Sequence, residues 1–161
     1  LTGLLKHADI KEQVAIEQER ALRSGKPFSV VMLDIDHFKK VNDTHGHAVG
    51  DNVIRALANL LRQRLRRVDS LGRYGGEEFA LILPNHNEIS ALQVARDVQF
   101  AVRQLQFTDA GLPASLSVSV SQGVATEING QYRTSMALLC AADTALYRAK
   151  SDGRDCINSS D

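Results

Sequence analysis

The chain has 161 residues, 43% of them hydrophobic and 24% charged, the make-up of one globular domain with enough material for a buried core. Nineteen lysines and arginines balance nineteen aspartates and glutamates, so no global basic field exists for gripping nucleic acid or a membrane. No apolar run approaches the ~20 residues of a membrane span, and no signal-peptide pattern opens the chain.

Residues 9–24 read as a helix with Ile10, Val14, Ala21 and Leu22 on one side and a polar middle, stopped by Gly25 and Pro27. Phe28-Ser29-Val30-Val31-Met32-Leu33 is apolar almost throughout, as expected of a central strand covered on both faces, and it runs into Asp34-Ile35-Asp36. A polar, turn-rich segment over 42–47 precedes a helix of about 50–67, striped by Val53, Leu57, Leu61 and Leu65.

Next comes Arg73-Tyr74-Gly75-Gly76-Glu77-Glu78-Phe79, where Gly-Gly between apolar runs predicts a two-residue hairpin turn with φ > 0. Pro84 to Asn87 breaks the chain before a helix of about 88–106, and 109–113 is a loop. Residues 115–125 alternate with period two, predicting a half-exposed strand. A last helix over about 135–151 stops at Gly153. The order α-β-α-β-β-α-β-α predicts an α+β fold with helices over an antiparallel-containing sheet. Cys140 and Cys156 lack metal-ligand spacing; Cys140 is expected to be a buried small residue, a disulfide between them is not expected, and the cytoplasm is the default compartment. The chain opens at Leu1 without methionine and reads as a single domain, 1–161, cut from a longer protein whose other parts could carry a membrane anchor.

Glu77 and Glu78 place two like charges beside a turn, where they repel each other unless a cation sits against them. Period two puts the Asp34 and Asp36 carboxylates on one side of the strand end, with the Ile35 carbonyl between them. The alternative for that pair is solvated loop acids. If strand and hairpin are neighbours, three or four oxygens converge in the hard-oxygen environment that Mg²⁺ prefers, which points to phosphoryl chemistry on a nucleotide. Amides in the connection His37-Phe38-Lys39 are candidates for holding phosphate. Lys150 and Arg154 straddle the end of the last helix, where they could simply complement its dipole. His45 and His47 lack a third metal ligand at useful spacing. Arg62, Arg64, Arg66 and Arg67 sit at a helix C-terminus without interleaved aromatics, so nucleic-acid binding is not expected.

Together these residues resemble the GGDEF family of diguanylate cyclases, nearly end to end. Leu1-Thr2-Gly3-Leu4 resembles its opening, and Asp34 to Lys39 with Val41-Asn42-Asp43, Gly46-His47 and Gly50-Asp51 its nucleotide-binding stretch. Gly75-Gly76-Glu77-Glu78-Phe79 resembles the signature in its Glu variant, and Ala142 to Tyr147 with Ala149-Lys150 and Gly153-Arg154 the closing motif. The resemblance implies a palm-like, ferredoxin-like sheet similar to the nucleotidyl-cyclase core. It implies condensation of two GTP into cyclic di-GMP with release of two pyrophosphates, each GTP held by one subunit of a homodimer.

By position, Asp34, the Ile35 carbonyl and Glu77 would hold Mg²⁺, with Mn²⁺ as the other candidate and Glu78 also at the metal site. Glu77 would assist deprotonation of the 3′-hydroxyl. Asn42 and Asp51 would read guanine, Phe38, Lys39 and His47 would lie near the substrate, and Lys150 and Arg154 would neutralise the triphosphate. Arg66-x-x-Asp69 would form an inhibitory site for the product. Two departures stand out: Lys6-His7-Ala8 where Asn-Arg-Arg is usual, and Asp155 where Asn is usual. The alternative function is a degenerate domain that senses GTP or cyclic di-GMP without turnover.

Overall fold

All eight residues of β1 (Phe28–Ile35) are buried, as a strand apolar on both faces requires. It is flanked by two antiparallel neighbours. One is β3 (Glu78–Pro84), which sets Glu78 opposite Asp34; the other is β4 (Val120–Glu127), which sets Ser121 opposite Asp34. Outside them, β2 (Ser70–Arg73) pairs antiparallel with β3 and β5 (Ile157–Ser159) parallel with β4, giving the order β2-β3-β1-β4-β5. This computed structural model describes residues 4–107 and 116–160. The expected opening Leu1-Thr2-Gly3, the loop over 109–113 and Ser115 lie outside them.

Period two along β1 divides the core. Val31, Leu33 and Ile35 meet Phe79, Leu81 and Leu83 beneath α3 (His47–Arg64) and α4 (Glu88–Arg103). Phe28, Val30 and Met32 meet Ala80 and Ile82 beneath α1 (His7–Ser24) and α5 (Ser135–Ser151). The path β1-helix-β2-β3-α4-β4 with spatial order 2-3-1-4 is the ferredoxin-like split βαβ arrangement, so the α+β, palm-like expectation holds. At Gly123 the α5 backbone comes so close that a Cβ would sit 2.2 Å from the Ala142 carbonyl oxygen and the Leu146 nitrogen. Among the described residues no helix is long and apolar enough to cross a membrane.

Several local expectations are corrected. The polar segment after β1 is helical: α2 (Phe38–His45) abuts α3 at Gly46, whose φ of 91° makes the bend. The α3 helix ends at Arg64, so Leu65, Arg66 and Arg67 lie beyond it. On α1, Leu22 is exposed while Glu17 and Gln18 are buried, because Gln18 donates to Glu127 at 3.4 Å and to the Tyr132 carbonyl at 3.0 Å. The β4 strand starts at Val120 and is buried throughout, since α4 and α5 cover its two faces. Most of its polar groups find partners inside: Gln122 donates to the Ala95 carbonyl, although its own amide oxygen is buried without a partner, and Thr126 shares a hydrogen bond with Ser29 of β1. Cys140 is exposed on the outer side of α5 instead of buried, and both cysteines are free thiols. Nothing in the sequence predicts the short strand β5, for three residues of mixed polarity leave no periodic signal.

Candidate active site

The ends of β1 and β3 build the site. Register places Asp34 directly opposite Glu78, and the Ile35 amide donates to the Glu77 carbonyl at 3.3 Å, which draws the glutamate loop onto the aspartate strand. A cleft of ≈ 470 Å³ opens there, lined by Asp34, Ile35, Glu77, Lys150 and Arg154 together with α2 residues that include Phe38 and Lys39. Residues from three distant stretches of sequence therefore meet around one space.

The glycine turn differs from expectation. Gly75 and Gly76 do not have positive φ, and the Arg73–Phe79 pairing followed by the Tyr74 amide donating to Glu78 leaves a loop longer than two residues. Its shape is held by Arg73, which donates from Nε and a terminal nitrogen to the Gly76 carbonyl at 3.0 and 2.6 Å. No protein atom approaches within 4 Å of where a Gly76 side chain would begin. On the other flank Tyr74 stacks on His7, ring centroids 4.1 Å apart, so the Lys6-His7-Ala8 departure acquires a packing role.

Asp34 and Asp36 part company. Asp36 is buried and accepts from the Ser119 and Ser121 hydroxyls, each at 2.6 Å, and from the Asp155 amide at 2.9 Å. With three donors it anchors β4 and the segment after α5, and it is neither a solvated loop acid nor a free ligand. In Asp34, by contrast, Oδ2 accepts from Lys150 while Oδ1 is buried with no partner. Lys150 thus does more than complement a helix dipole.

Burial pushes the Asp34 carboxyl above the usual carboxylate range against the pull of Lys150, with Glu77 and Asp36 adding repulsion. Burial likewise raises Glu78, helped by the Asp34 charge. Burial opposes the charge on Lys150, but its hydrogen bond to Asp34 and the nearby glutamates hold its pKa above the ordinary lysine value. The carboxylates at the strand ends repel one another, and Lys150 bonds only one oxygen of Asp34. An orphaned Asp34 oxygen beside Glu77, Glu78 and a backbone carbonyl suits a hard divalent cation. Among the described residues no three His, Cys, Asp or Glu side chains cluster tightly enough to hold a metal alone. An open set of this kind fits an ion that completes its shell with water and phosphate oxygens.

The α2 helix begins at the cleft without a side-chain cap, His37 standing in the left-handed region at φ 54°, so its first-turn amides lack that partner. Phosphate oxygens are the natural acceptors for such groups. Asn42, one turn further along α2, has a buried Oδ1 without a partner. Gly50 of α3 makes the space for it: a Cβ there would lie 1.8 Å from that oxygen and 3.1 Å from Phe38 Cζ. Neither Asn42 nor Asp51 nor His47 lines the cleft itself; Asp51 and His47 are exposed on the first turns of α3. Lys39 pairs with Asp43 at 3.0 Å.

Arg154 follows Gly153 in a run of three positive φ angles, 114°, 65° and 48°, ending at Asp155. Non-glycine residues held there cost on the order of 1 kcal/mol each. Sequence patterning gave no sign of this turn or of the anchoring role of Asp36, because both depend on partners far along the chain.

Arg66 and Asp69 lie near Pro84, at the opposite end of β3 from Glu78, roughly 20 Å away at strand rise. They bond to each other: the Arg66 guanidinium donates to Asp69 at 2.8 Å, and the Arg66 amide to Asp69 Oδ2 at 2.8 Å. Further hydrogen bonds join the guanidinium to the Pro84 carbonyl at 2.7 Å and to His86 Nδ1 at 3.0 Å, with the Asp69 side chain only 3% exposed. In this arrangement the Asp69 carboxylate is closed to an incoming ligand.

The sheet order and the carboxylate-lined cleft beside an uncapped helix start define a palm-like nucleotidyl-cyclase core. More specifically, the chain belongs to the diguanylate cyclase GGDEF-domain family, whose model matches residues 1–156. It is 40% identical over 157 residues to response regulator PleD of Caulobacter vibrioides, covering 98% of this chain and 34% of that one. It is also 40% identical over 155 residues to diguanylate cyclase DgcP of Pseudomonas aeruginosa, covering 96% of this chain and 22% of that one. The chain therefore spans about a third or less of the length of these relatives. The crystal structure of the DgcB GGDEF domain from Caulobacter crescentus in complex with c-di-GMP superimposes with a TM-score of 0.92. That match has 29% identity and covers 99% of this chain and 92% of that one.

Proposed function

We propose that residues 1–161 form the catalytic GGDEF domain of a longer regulated protein. It would act as a diguanylate cyclase that converts two GTP into cyclic di-GMP and two pyrophosphates in the cytoplasm. The observation that carries this reading is Asp34: register sets it opposite Glu78, Lys150 holds one oxygen, and the other is buried and unpartnered. The family membership and the relative named diguanylate cyclase support the activity.

The α2 amides and the cations Lys150 and Arg154 would hold the triphosphate, while Asn42 and Asp51 would read guanine through its N1–H and N2–H₂ donors, a pattern adenine lacks. Asp34, the Ile35 carbonyl and Glu77, with Glu78 beside them, would hold Mg²⁺ or Mn²⁺. When bound, such a cation would lower the pKa of the 3′-hydroxyl and offset charge on the phosphates. Glu77 would take the proton of the 3′-hydroxyl as that oxygen attacks the α-phosphorus of the GTP carried by a second subunit. The new 3′ O–P bond replaces the α–β phosphoanhydride, and pyrophosphate leaves. A reciprocal attack closes the ring, which is why two copies must face each other. Arg66 and Asp69, once opened, would bind the product.

The purified domain incubated with GTP and Mg²⁺ at high concentration, with products identified by mass spectrometry, tests the reading. Cyclic di-GMP is expected. Tight GTP binding without cyclic di-GMP, after any bound product has been stripped, would leave a sensor and overturn the cyclase.

A further inference from the structure

We propose that Asp155 is a positioning residue that fixes Arg154 at the phosphate-binding end of the cleft, with Arg103 of α4 completing its clamp. The inference rests on reading that cleft as a GTP site.

The polar groups of Asp155 are gripped from two sides, by the end of β1 and by α4. Its amide donates to Asp36 Oδ2 at 2.9 Å, at the end of β1. Its carbonyl accepts from Gln99 Nε2 of α4 at 2.7 Å. Its carboxylate accepts from Arg103 Nε at 3.1 Å to each oxygen, with an Arg103 terminal nitrogen 3.0 Å from Oδ2. Asp36 is itself fixed by Ser119 and Ser121, so the grip extends across β1, β4 and α4.

The preceding residue is the one that needs such a grip. Gly153 leaves the chain free to rotate after α5, and Arg154 and Asp155 then occupy the left-handed region at 65° and 48°. Non-glycine residues stay there only when their surroundings hold them. The Arg154 amide donates to the Ala149 carbonyl at 3.1 Å, while its guanidinium has no partner among the described residues and lines the cleft. Backbone fixed, side chain unengaged: that is the condition of a group waiting for a ligand. Asp155 is not among the cleft-lining residues, and its carboxylate is turned to α4, so it acts through its neighbour. The Arg103–Asp155 pair is partly exposed, 48% and 38%, and an exposed pair contributes little to stability. Its effect is on placement.

Calorimetry with 3′-deoxyGTP, which cannot condense, and with GMP, which lacks the outer phosphates, separates placement from folding. Arg103→Leu is expected to weaken 3′-deoxyGTP binding about tenfold, the scale of removing one charge-assisted hydrogen bond, while GMP affinity stays within about twofold. In an Arg154→Ala background the same substitution should add nothing, because the coupling runs through Arg154. Asp155→Asn, which tolerates left-handed φ and keeps one acceptor for Arg103, should recover most of what Asp155→Ala loses. Unchanged 3′-deoxyGTP affinity in Arg103→Leu, an equal loss for both nucleotides, or the full loss persisting without Arg154 would each overturn the clamp. Wild-type protein that fails to bind 3′-deoxyGTP would overturn the GTP reading itself, and the clamp with it.

Discussion

Lys150 of α5 donates to the Asp34 carboxylate at the end of β1, joining residues 116 apart in sequence, while the second Asp34 oxygen is buried without a partner. Lys150 thus bonds directly to a cluster of Asp34, Glu77 and Glu78 in which burial makes charge expensive to keep. Such a cluster is stable only at some cost, and the cost is where function can be read.

Burial raises the Glu78 carboxyl, so between its unfolded and folded pKa values the folded state binds more protons. The stability associated with Glu78 is complete below the ordinary glutamate range and is lost as pH rises through the folded value. In metal-free buffer, Glu78→Gln should therefore match the wild-type melting temperature at low pH and exceed it above the folded pKa. The expected signature is a gain in melting temperature that is absent at low pH and present only above the folded pKa. A melting-temperature difference independent of pH would contradict this. Mg²⁺ should shrink the gap by favouring the charged carboxylates of the wild type.

Glu77→Gln should lower cyclic di-GMP formation roughly 10²-fold or more, the scale of a lost general base, with 3′-deoxyGTP still bound. Mass spectrometry of single-turnover reactions checks it. A fully active variant would displace Glu77 from its role.

Gly50→Ala tests the guanine side. A new Cβ would fall 1.8 Å from Asn42 Oδ1, so the flexible amide must move. Within a helix the same change ordinarily stabilises by up to about 1 kcal/mol. The expected result is a loss of GTP affinity on the order of tenfold with no fall in melting temperature. Unaltered affinity would remove Asn42 from guanine recognition.

Gly123→Val tests the fold alone. The α5 backbone leaves no room for a side chain there. Displacing packed backbone should cost about 3 kcal/mol or more, read as a lower urea midpoint. A variant as stable as wild type would mean α5 can shift at no cost.

Arg66→Ala should relieve product inhibition, straightening progress curves that otherwise bend as cyclic di-GMP accumulates. It should also cost about 1 kcal/mol, because the Arg66 side of the pair is half-exposed and Asp69 keeps the Arg66 amide when the guanidinium is removed. Progress curves that bend as before would remove the regulatory role.

Much of the fold was legible in the chain. The unbroken apolar run of β1, the stripes on α3, α4 and α5, and the hairpin between them each obey a local period, and local periods survive in sequence. Motif spacing also singles out Asp34, Glu77, Glu78, Lys150 and Arg154, and the structure gathers all five into one neighbourhood. The errors fall where tertiary contacts overrule local preference. The polar residues in and just after the expected half-exposed strand 115–125 are buried: Ser121 donates to Asp36, Gln122 donates to the Ala95 carbonyl, and Glu127 accepts from Gln18 and the 131–132 amides.

The sequence by itself determined which carboxylates, amides and cations the chain can bring to a nucleotide. Periodicity could not divide Asp34 from Asp36, although the family resemblance singled out Asp34 for the metal. Two residues apart at the end of β1, they are alike in the local sequence pattern, and only strand pairing and the segment after α5 give Asp36 three donors while leaving an Asp34 oxygen bare. Nor did it reveal that Arg66 and Asp69 close on each other, or that Asp155 ties Arg154 to α4. Periodicity records which face of an element is apolar, whereas a buried charge is defined by its partners, and those partners come from anywhere in the chain.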